Sequence, residues 1–502
     1  MRMEKDWFGK WAGYAPIKTV VSDAVTGELY TYQQVHHIAG RLARACMEKG
    51  LQPGDRIAVL AEYSPQYVLL LGLAMKTGLI LVPLNYRLSG RELAYMIGQS
   101  EPSLLLYDER HADLAQDACA DSPYLEHQSL DVFCHTAMNP PQEEQTFEAR
   151  EIPDDHPLFI LYTSGTTGFP KGALYTYRMA FWNAVNTQIR LDITSRDHTL
   201  ICMPPFHTGG WNVLLMPFLL QGGSFTLLRK FEADQVLHLL ENEEVTLFMG
   251  VPTMMKMMAD DPAFQELELE SLRYCIVGGE AMPIPLIRTW EHKGVPIRQG
   301  FGLTEVGPNV FSLHHDDAIR KIGSIGTPNF FLDLKLMKAD GTEAGTEEEG
   351  ELWLKGDIAT PGYWQNEMAT QEAYHEGWFR TGDILTRDAD GYYYVRDRIK
   401  NMFISGGENV YPAEVERWLH THPAIEEVAV IGVPDPKWGE VGKAIMVCGD
   451  DPLSIEEVVA FCREKLARFK IPKYVAHTDA LPKTDSGKVD RKQLKALYLP
   501  KS

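Results

Sequence analysis

Tyr162-Thr-Ser-Gly-Thr-Thr-Gly-Phe-Pro-Lys-Gly172 follows an apolar run, Leu158-Phe-Ile-Leu161, and the two together decide how the chain is read. The run is short, unbroken and apolar, the pattern of a buried strand. The stretch after it sets Gly165, Gly168 and Gly172 among the hydroxyls of Thr163, Ser164, Thr166 and Thr167, and adds Lys171. Glycine lets backbone N–H groups turn toward an anion; hydroxyls and an ammonium add donors and positive charge. A strand feeding such a loop reads as a device for holding phosphates. Taken alone, the same residues also read as a flexible Ser/Thr/Gly connector. It is not a Walker A loop: Gly172, not Ser or Thr, follows the lysine, and the glycine spacing differs. That sets aside P-loop ATPase and kinase-like readings.

Upstream of the loop, Thr31 stands as a helix N-cap. Val35, Ile38, Ala39, Leu42, Ala43 and Cys46 fall on one face after it, and Gly50 sits at the stop. Residues 56–60, 79–82 and 103–107 read as strands; 65–76 and a Ser89-capped segment to Gln99 read as helices. Short apolar strands alternating with helices predict parallel βαβ units. Residues 111–155 are polar, carry Asn139-Pro-Pro-Gln-Glu-Glu, and read as surface connection. The pattern then resumes with strands at 199–203, 224–228, 247–249 and 274–277 and helices at 210–220 and 233–241. Around 335–355, alternation with turns at Asp340-Gly and Glu349-Gly predicts an antiparallel region. Beyond Asp397-Arg-Ile-Lys400, the stretch Ser405-Gly-Gly-Glu-Asn-Val-Tyr-Pro412 opens a helix with Pro412 near its first turn. Strands at 427–433 and 443–447 and a Ser454-capped helix complete a small α+β domain. The expected fold class is α/β: a large N-terminal domain of βαβ subdomains with parallel sheets, a small antiparallel β region, and a small mobile α+β C-terminal domain.

The 502 residues leave room for about three domains, or one large domain and a small one. The formal charge of −21 repels nucleic acid, so any site for ATP must be locally positive. Seven cysteines are scattered singly without a CxxC pair and read as buried free thiols. The most apolar run, Tyr67 to Leu84, is broken by Lys76 and Pro83 and is no membrane span. The N-terminal Met-Arg-Met-Glu-Lys-Asp-Trp lacks an apolar signal core, so a cytoplasmic protein is expected.

Four further stretches follow the loop at intervals: Met203-Pro-Pro-Phe-His207, Gln299-Gly-Phe-Gly-Leu-Thr-Glu305, Trp378-Phe-Arg-Thr-Gly-Asp383 and Leu481-Pro-Lys-Thr-Asp-Ser-Gly-Lys488. In that order they closely resemble the ANL superfamily of adenylate-forming enzymes, which includes acyl-CoA synthetases, adenylation domains of peptide synthetases and luciferases. The chain looks most like an acyl-CoA synthetase, and the resemblance runs from Thr31 to Lys488. It implies an N-terminal AMP-binding domain over 1–397, a hinge at 398–400 and a mobile C-terminal domain over 401–502.

The implied reaction is ATP-dependent acid–CoA ligation. A carboxylate attacks the α-phosphate of ATP to give acyl-AMP and pyrophosphate; the thiol of CoA then displaces AMP. Two anions must meet, so the protein has to neutralise charge and align the attack. By the resemblance, Thr163, Ser164, Gly165, Thr166, Thr167, Gly168 and Lys171 hold the β- and γ-phosphates. Glu305 and Thr166 hold Mg²⁺, a hard cation suited to carboxylate and phosphate oxygens. Adenine lies between Gly278, Gly279, Glu280 and Ala281 on one side and Gly300, Phe301 and Gly302 on the other, with Gln299, Leu303 and Thr304 in the same ATP site. Phe301 stands where the family usually has Tyr; a stacking face survives and the hydroxyl is lost.

Asp383 is the matching partner for the ribose hydroxyls, since a carboxylate accepts two O–H bonds at once. Arg398 matches an arginine that contacts ribose or phosphate. Lys488 matches the lysine that touches a carboxylate oxygen and an α-phosphate oxygen. Lys488, Arg398 and His207 form the implied catalytic set. His207 positions the substrate and is no general base, because a carboxylate is already ionised at neutral pH. Lys400 matches the pivot; Asp397 replaces a frequent Gly and Asn401 a frequent Asp. Ser405, Gly406 and Gly407 would let a pantetheine arm pass close to the backbone, and Trp438 reads either as a wall for that arm or as domain packing.

The acyl pocket is expected from His207, Trp211, Gly278 and Gly302, within segments 206–216, 248–252, 276–279 and 302–311. Between Ile201 and Leu220 the titratable groups are His207 and the Cys202 thiol. That argues against a second carboxylate on the substrate and favours an apolar acid, medium-chain fatty or aromatic, with Trp211 limiting chain length. The partners implied are a small carboxylic acid, ATP and CoA, with no nucleic acid, and a homodimer is allowed. Two alternatives stay open: an adenylating relative that loads a separate carrier protein or oxidises its product, and a non-catalytic nucleotide-binding homologue. Against the second, Lys171, Glu305, Asp383, Arg398 and Lys488 are all present.

Overall fold

The apolar run Leu158–Leu161 is the buried middle of a strand, Pro157–Thr163. It turns back on Lys171–Thr176, with Thr163 opposite Lys171 and Tyr162 opposite Gly172. The protein is described by a computed structural model over residues 3–138, 147–163, 170–279, 282–406, 408–449, 452–463, 465–484 and 488–499. The chain divides into two units, Met1–Asp333 with Leu354–Phe379, and Leu334–Trp353 with Arg380–Ser502.

The first unit holds two sheets. One has six strands in the order Glu126–Ser129, Leu104–Tyr107, Arg56–Leu60, Ile80–Pro83, Pro157–Thr163, Lys171–Thr176, parallel throughout except for the last pair. The other has nine, in the order Thr327–Pro328, Gly307–Leu313, Ile297–Leu303, Tyr274–Val277, Leu247–Gly250, His198–Ile201, Ser224–Leu227, Thr19–Asp23, Leu29–Thr31. Its centre is parallel and its ends are antiparallel. Parallel strands need helical crossovers and both faces covered, which is why their sequences are continuously apolar.

The helix Pro65–Thr77 is apolar almost all round and buried almost throughout, as such a helix must be. It packs on Tyr32–Glu48, which Thr31 caps through a reciprocal bond with Gln34. A Cβ on Gly72 would stand 2.8 Å from the Cβ of Ala39, so this crossing requires glycine.

Residues 111–155 are not the surface connection their polarity predicts. They carry a helix Ala112–Ala118, the edge strand Glu126–Ser129 and a helix Leu130–Met138 that buries Leu130, Cys134 and Ala137. The strand Glu-His-Gln-Ser has no apolar residue, and the first helix buries only alanines, Ala115 and Ala118, so neither shows a hydrophobic period. The helix expected over 210–220 is two, Thr208–Asn212 and Leu215–Gln221.

The second unit combines antiparallel strands, among them Gly350–Lys355, Trp378–Arg387 and Tyr393–Arg398, with an α+β layer. In that layer Ile425–Asp435 and Gly439–Cys448 form a long hairpin, flanked by Phe403–Ser405 on one side and by Tyr474–His477 running parallel. Separate apolar clusters, one around Val430 and Met446 and one around Ile431 and Ile445, follow the strand alternation onto opposite faces. Pro412 is the first residue of the helix Pro412–Leu419. All seven cysteines are free thiols. No helix among the described residues is long and apolar enough to cross a membrane.

Candidate active site

In the first unit the end of the loop strand meets a distant acid. Glu305 lies on a short 3₁₀ turn, Thr304–Val306, directly after the strand Ile297–Leu303. Thr163 Oγ1 donates to Glu305 Oε1 at 3.3 Å, and Tyr363 Oη donates to the same oxygen at 3.1 Å. Lys171 Nζ stands 5.3 Å from the centre of the Tyr363 ring. The backbone of Thr360 fixes the turn, its N–H donating to the Glu305 carbonyl at 2.7 Å. Thr163, Lys171 and Glu305 are therefore brought together. Tyr363 completes the group and carried no sequence signal. The loop residues Ser164, Gly165, Thr166, Thr167 and Gly168 lie outside the described residues, as do Glu280, Ala281 and Gly407. The donors present, a carboxylate and a threonine hydroxyl, are all oxygen and suit Mg²⁺.

The wall assigned to adenine is built from two parallel strand ends, with Val277 opposite Gln299. Gly278 and Gly279 continue past the first. Gly279 adopts φ +85°, a left-handed conformation, and a Cβ on Gly278 would approach the Gly300 carbonyl to 3.4 Å. Gln299 Oε1 accepts from the Met282 N–H at 3.2 Å. Gly302 has no room for a side chain, because a Cβ would collide with the backbone of Gly307 and Pro308. Phe301 meets Phe311 edge to face, ring centres 5.9 Å apart. Leu303 pairs with Gly307, and Thr304 begins the turn that carries Glu305.

His207 occupies the N-cap position of Thr208–Asn212, six residues beyond the end of the strand His198–Ile201. Its ring lies 4.6 Å from that of Phe206. Phe206 in turn meets Tyr86 at 5.0 Å, and the Arg87 guanidinium stands 5.6 Å from its ring. Arg87 comes from a different segment, so a count of charges along 201–220 does not find it. Trp211 is fully buried, donates from Nε1 to the Pro205 carbonyl at 2.6 Å, and packs against Tyr63, Tyr67 and Phe159. Burial pushes the Cys202 thiol up to about 12, so it stays neutral and unreactive at physiological pH.

In the second unit Asp383 and Arg398 stand opposite each other in antiparallel register, and Arg398 Nε donates to Asp383 Oδ1 at 2.8 Å. Asp383 is buried and the arginine is half exposed. Asp397 is also buried. Its Oδ1 accepts from the Arg398 N–H at 2.6 Å and from Asn401 Nδ2 at 2.9 Å, and its Oδ2 accepts from the Ala413 N–H at 2.8 Å. Lys400 lies on the turn between these partners. Ser405 ends the strand Phe403–Ser405. Gly406 follows at φ +62° beneath Trp438, whose ring would meet a Cβ there at 2.8 Å. Trp438 is 40% exposed, with Lys473 Nζ 4.6 Å from its ring centre. Lys488 is exposed, and its carbonyl accepts from the Thr484 N–H at 2.7 Å.

Residues 8–364 match the AMP-binding enzyme family and residues 414–488 match the AMP-binding enzyme C-terminal domain. A feruloyl-CoA synthase from Amycolatopsis sp. is 38% identical over 497 residues, 97% of this chain and 98% of that protein. The long-chain-fatty-acid–CoA ligase FadD13 of Mycobacterium tuberculosis is 36% identical over 474 residues, 93% of each. Among solved structures, the o-succinylbenzoate–CoA synthetase of Bacillus subtilis in complex with ATP and magnesium ion superposes with a TM-score of 0.86 at 30% identity, over 98% of this chain and 99% of that one. The chain belongs to the AMP-binding enzyme family, in the acyl-CoA synthetase branch of the ANL superfamily of adenylate-forming enzymes.

Proposed function

We propose that the protein joins an apolar carboxylic acid, medium-chain fatty or aromatic, to CoA through an acyl-adenylate formed from ATP. The observation that carries this reading is the convergence of Thr163 and Lys171 with Glu305 from a segment far along the chain. Lys171 and the loop hydroxyls grip the β- and γ-phosphates, the part that leaves. Mg²⁺, held by Glu305 with Thr166, supplies charge neutralisation at those phosphates when bound. Asp383 accepts from the ribose hydroxyls, and Arg398 adds positive charge beside it. Lys488 bridges the acid's carboxylate and an α-phosphate oxygen as charge moves between them. His207 holds the acid at the mouth of the acyl pocket.

The segment 398–400 is the hinge in this reading, between a domain over 1–397 and a mobile one over 401–502. Rotation about Lys400 withdraws Lys488 and brings Ser405, Gly406 and Trp438 to the thiol of CoA. Trp211 is fully buried among Tyr63, Tyr67 and Phe159, so it sets no limit on chain length here, and both acid classes are kept, as among the relatives. The reading places the enzyme in the cytoplasm, and a homodimer is compatible with it because every assigned residue comes from one chain.

The test is ATP–pyrophosphate exchange across a panel of aryl, medium-chain and short acids, followed by thioester formation with free CoA. Exchange that depends on a carboxylate, is strongest with aryl or medium-chain acids and is followed by transfer to CoA supports the proposal. No exchange with any acid overturns it. Exchange without transfer to CoA points instead to loading of a separate carrier.

A further inference from the structure

Both hydrogen bonds to the Glu305 side chain fall on one oxygen, Oε1, from Thr163 and Tyr363. Among the described residues none falls on Oε2. Lys171 comes from the same neighbourhood, yet no ion pair joins it to Glu305. Its ammonium faces the ring of Tyr363 instead, at 5.3 Å from the centre. One tyrosine thus serves an acid through its hydroxyl and a base through its face.

Tyr363 is itself firmly set. It forms a bridge with Ala173, on the strand that carries Lys171. Its N–H donates to Thr370 Oγ1 at 2.9 Å, and the next N–H, of Trp364, donates to the Gly172 carbonyl at 2.7 Å. The ring is therefore positioned by backbone on either side and does not depend on a bound molecule.

We infer that Tyr363 is a positioning residue for the metal–nucleotide complex: its hydroxyl turns Glu305 so that Oε2 is the oxygen presented to a divalent cation, and its ring holds Lys171 apart from Glu305. This rests on the ligase reading above. A direct lysine–glutamate ion pair in this place would neutralise both groups and would have to be broken before phosphates and cation entered. The tyrosine satisfies each partner separately, through a charge-assisted hydrogen bond on one side and a cation–π contact on the other. Both charges stay available for the nucleotide.

The experiment measures ATP affinity by calorimetry, without acid or CoA, once with Mg²⁺ and once with EDTA. Tyr363→Phe keeps the ring and loses the hydroxyl. It should weaken binding about tenfold with Mg²⁺ and leave binding in EDTA unchanged, since the lost bond goes to a charged group that acts through the cation. Tyr363→Leu loses both contacts and should weaken binding in both conditions. Tyr363→Phe is nearly isosteric, so it remains decisive even where Tyr363→Leu folds poorly. A Tyr363→Phe protein with the wild-type dependence on Mg²⁺ overturns the inference and leaves the ligase reading standing. A wild type whose ATP affinity ignores Mg²⁺ overturns the metal assignment at Glu305, and this inference with it.

Discussion

Arg398 Nε donates to Asp383 Oδ1 at 2.8 Å, and the two residues face each other across one antiparallel strand pair. The acid assigned to the ribose is buried beside its own cation. Asp383→Asn keeps the shape and removes the charge that ribose hydroxyls need. It should weaken ATP and AMP binding about 10- to 100-fold, the range for a hydrogen bond to a charged group. Arg398→Ala should weaken binding too, and the double variant should fall short of the sum, because each residue positions the other. Isothermal titration with AMP reads all three. Strict additivity would mean that the two residues act independently, and unchanged affinity in both single variants would mean that the pair has no part in nucleotide binding.

Lys488→Ala separates the two half-reactions. Formation of acyl-AMP should drop about 10²- to 10³-fold, the usual loss when one donor to a charged transition state is removed. Thioester formation from a supplied acyl-adenylate should persist near the wild-type rate. Rapid-quench measurement of each half gives the comparison, and equal losses in both would remove Lys488 from the adenylation step.

Asp397 and Asn401, the two departures from the family pattern on either side of the proposed hinge, are hydrogen-bonded to each other at 2.9 Å. Asp397 also accepts from the Ala413 N–H at the start of the helix Pro412–Leu419, so one carboxylate ties the strand Tyr393–Arg398 to that helix. Asn401→Asp would set two carboxylates at hydrogen-bond distance. It should cost more stability than the double variant Asp397→Gly/Asn401→Asp, which removes the repulsion. Asp397→Gly alone should cost about 1 kcal/mol through the lost cap. Urea unfolding gives the order. A double variant less stable than Asn401→Asp would show that the two positions are not coupled.

Where the sequence carried a period, it led to the right element. Thr31 with its apolar face gives the helix Tyr32–Glu48, and Leu158–Leu161 gives the buried strand before the Ser/Thr/Gly loop. The strand Glu126–Ser129 was hidden because an edge strand needs no apolar residue. The adjacency of Thr163 and Glu305 was legible only through the order of motifs, since spacing along a chain does not say which strand ends meet. Tyr363 was not legible at all. It sits in Pro361-Gly-Tyr-Trp364, where no charge or metal-ligand pattern marks it, and its role comes from a bridge to Ala173 that only the folded backbone supplies. Arg87 beside Phe206 was missed for the same reason.

Lys76 is fully buried, with Nζ 2.5 Å from Asp6 Oδ2 and 2.8 Å from His36 Nδ1. Asp6 also accepts from the Gly9 N–H at 2.8 Å, which caps the helix Trp7–Tyr14. Burial works to raise the Asp6 pKa, but the His36 hydrogen bond and the charge and hydrogen bond of Lys76 outweigh it and hold the group below its ordinary value. Lys76→Met would leave that carboxylate inside without its cation and should cost about 3–5 kcal/mol. Because the folded pKa is depressed, the stabilisation is complete above the ordinary carboxylate value and is lost as pH falls through the lower folded value. In Lys76→Met burial is no longer offset by the ammonium and moves the Asp6 carboxyl up, so the gap between wild type and variant, read by urea unfolding, should be largest at pH 8 and narrow as pH falls and the variant's carboxyl takes up a proton. A gap that stays flat from pH 8 into acid would assign the effect to another group.

His198 should give the wild type a second, milder acid sensitivity. Its ring nitrogens lie 2.8 Å from Ser224 Oγ and 2.9 Å from Thr226 Oγ1, an arrangement that a neutral imidazole satisfies with one donor and one acceptor. Burial, with the nearby charge of Lys18, pushes its pKa down to about 4. An unfolded chain takes up a proton at this residue near pH 6.5, so between that value and about 4 the unfolded state binds more protons than the folded one. Stability rises with pH across this window and falls by about 3 kcal/mol on acidification through it. His198→Gln keeps a donor and an acceptor and cannot titrate. It should be less stable than wild type at pH 8, and the difference should shrink steadily toward pH 4, where the unfolded wild type is fully protonated. Urea unfolding of both proteins at half-unit steps checks this, and a difference that stays flat across the window would show that His198 is charged in the folded state as readily as in the unfolded chain.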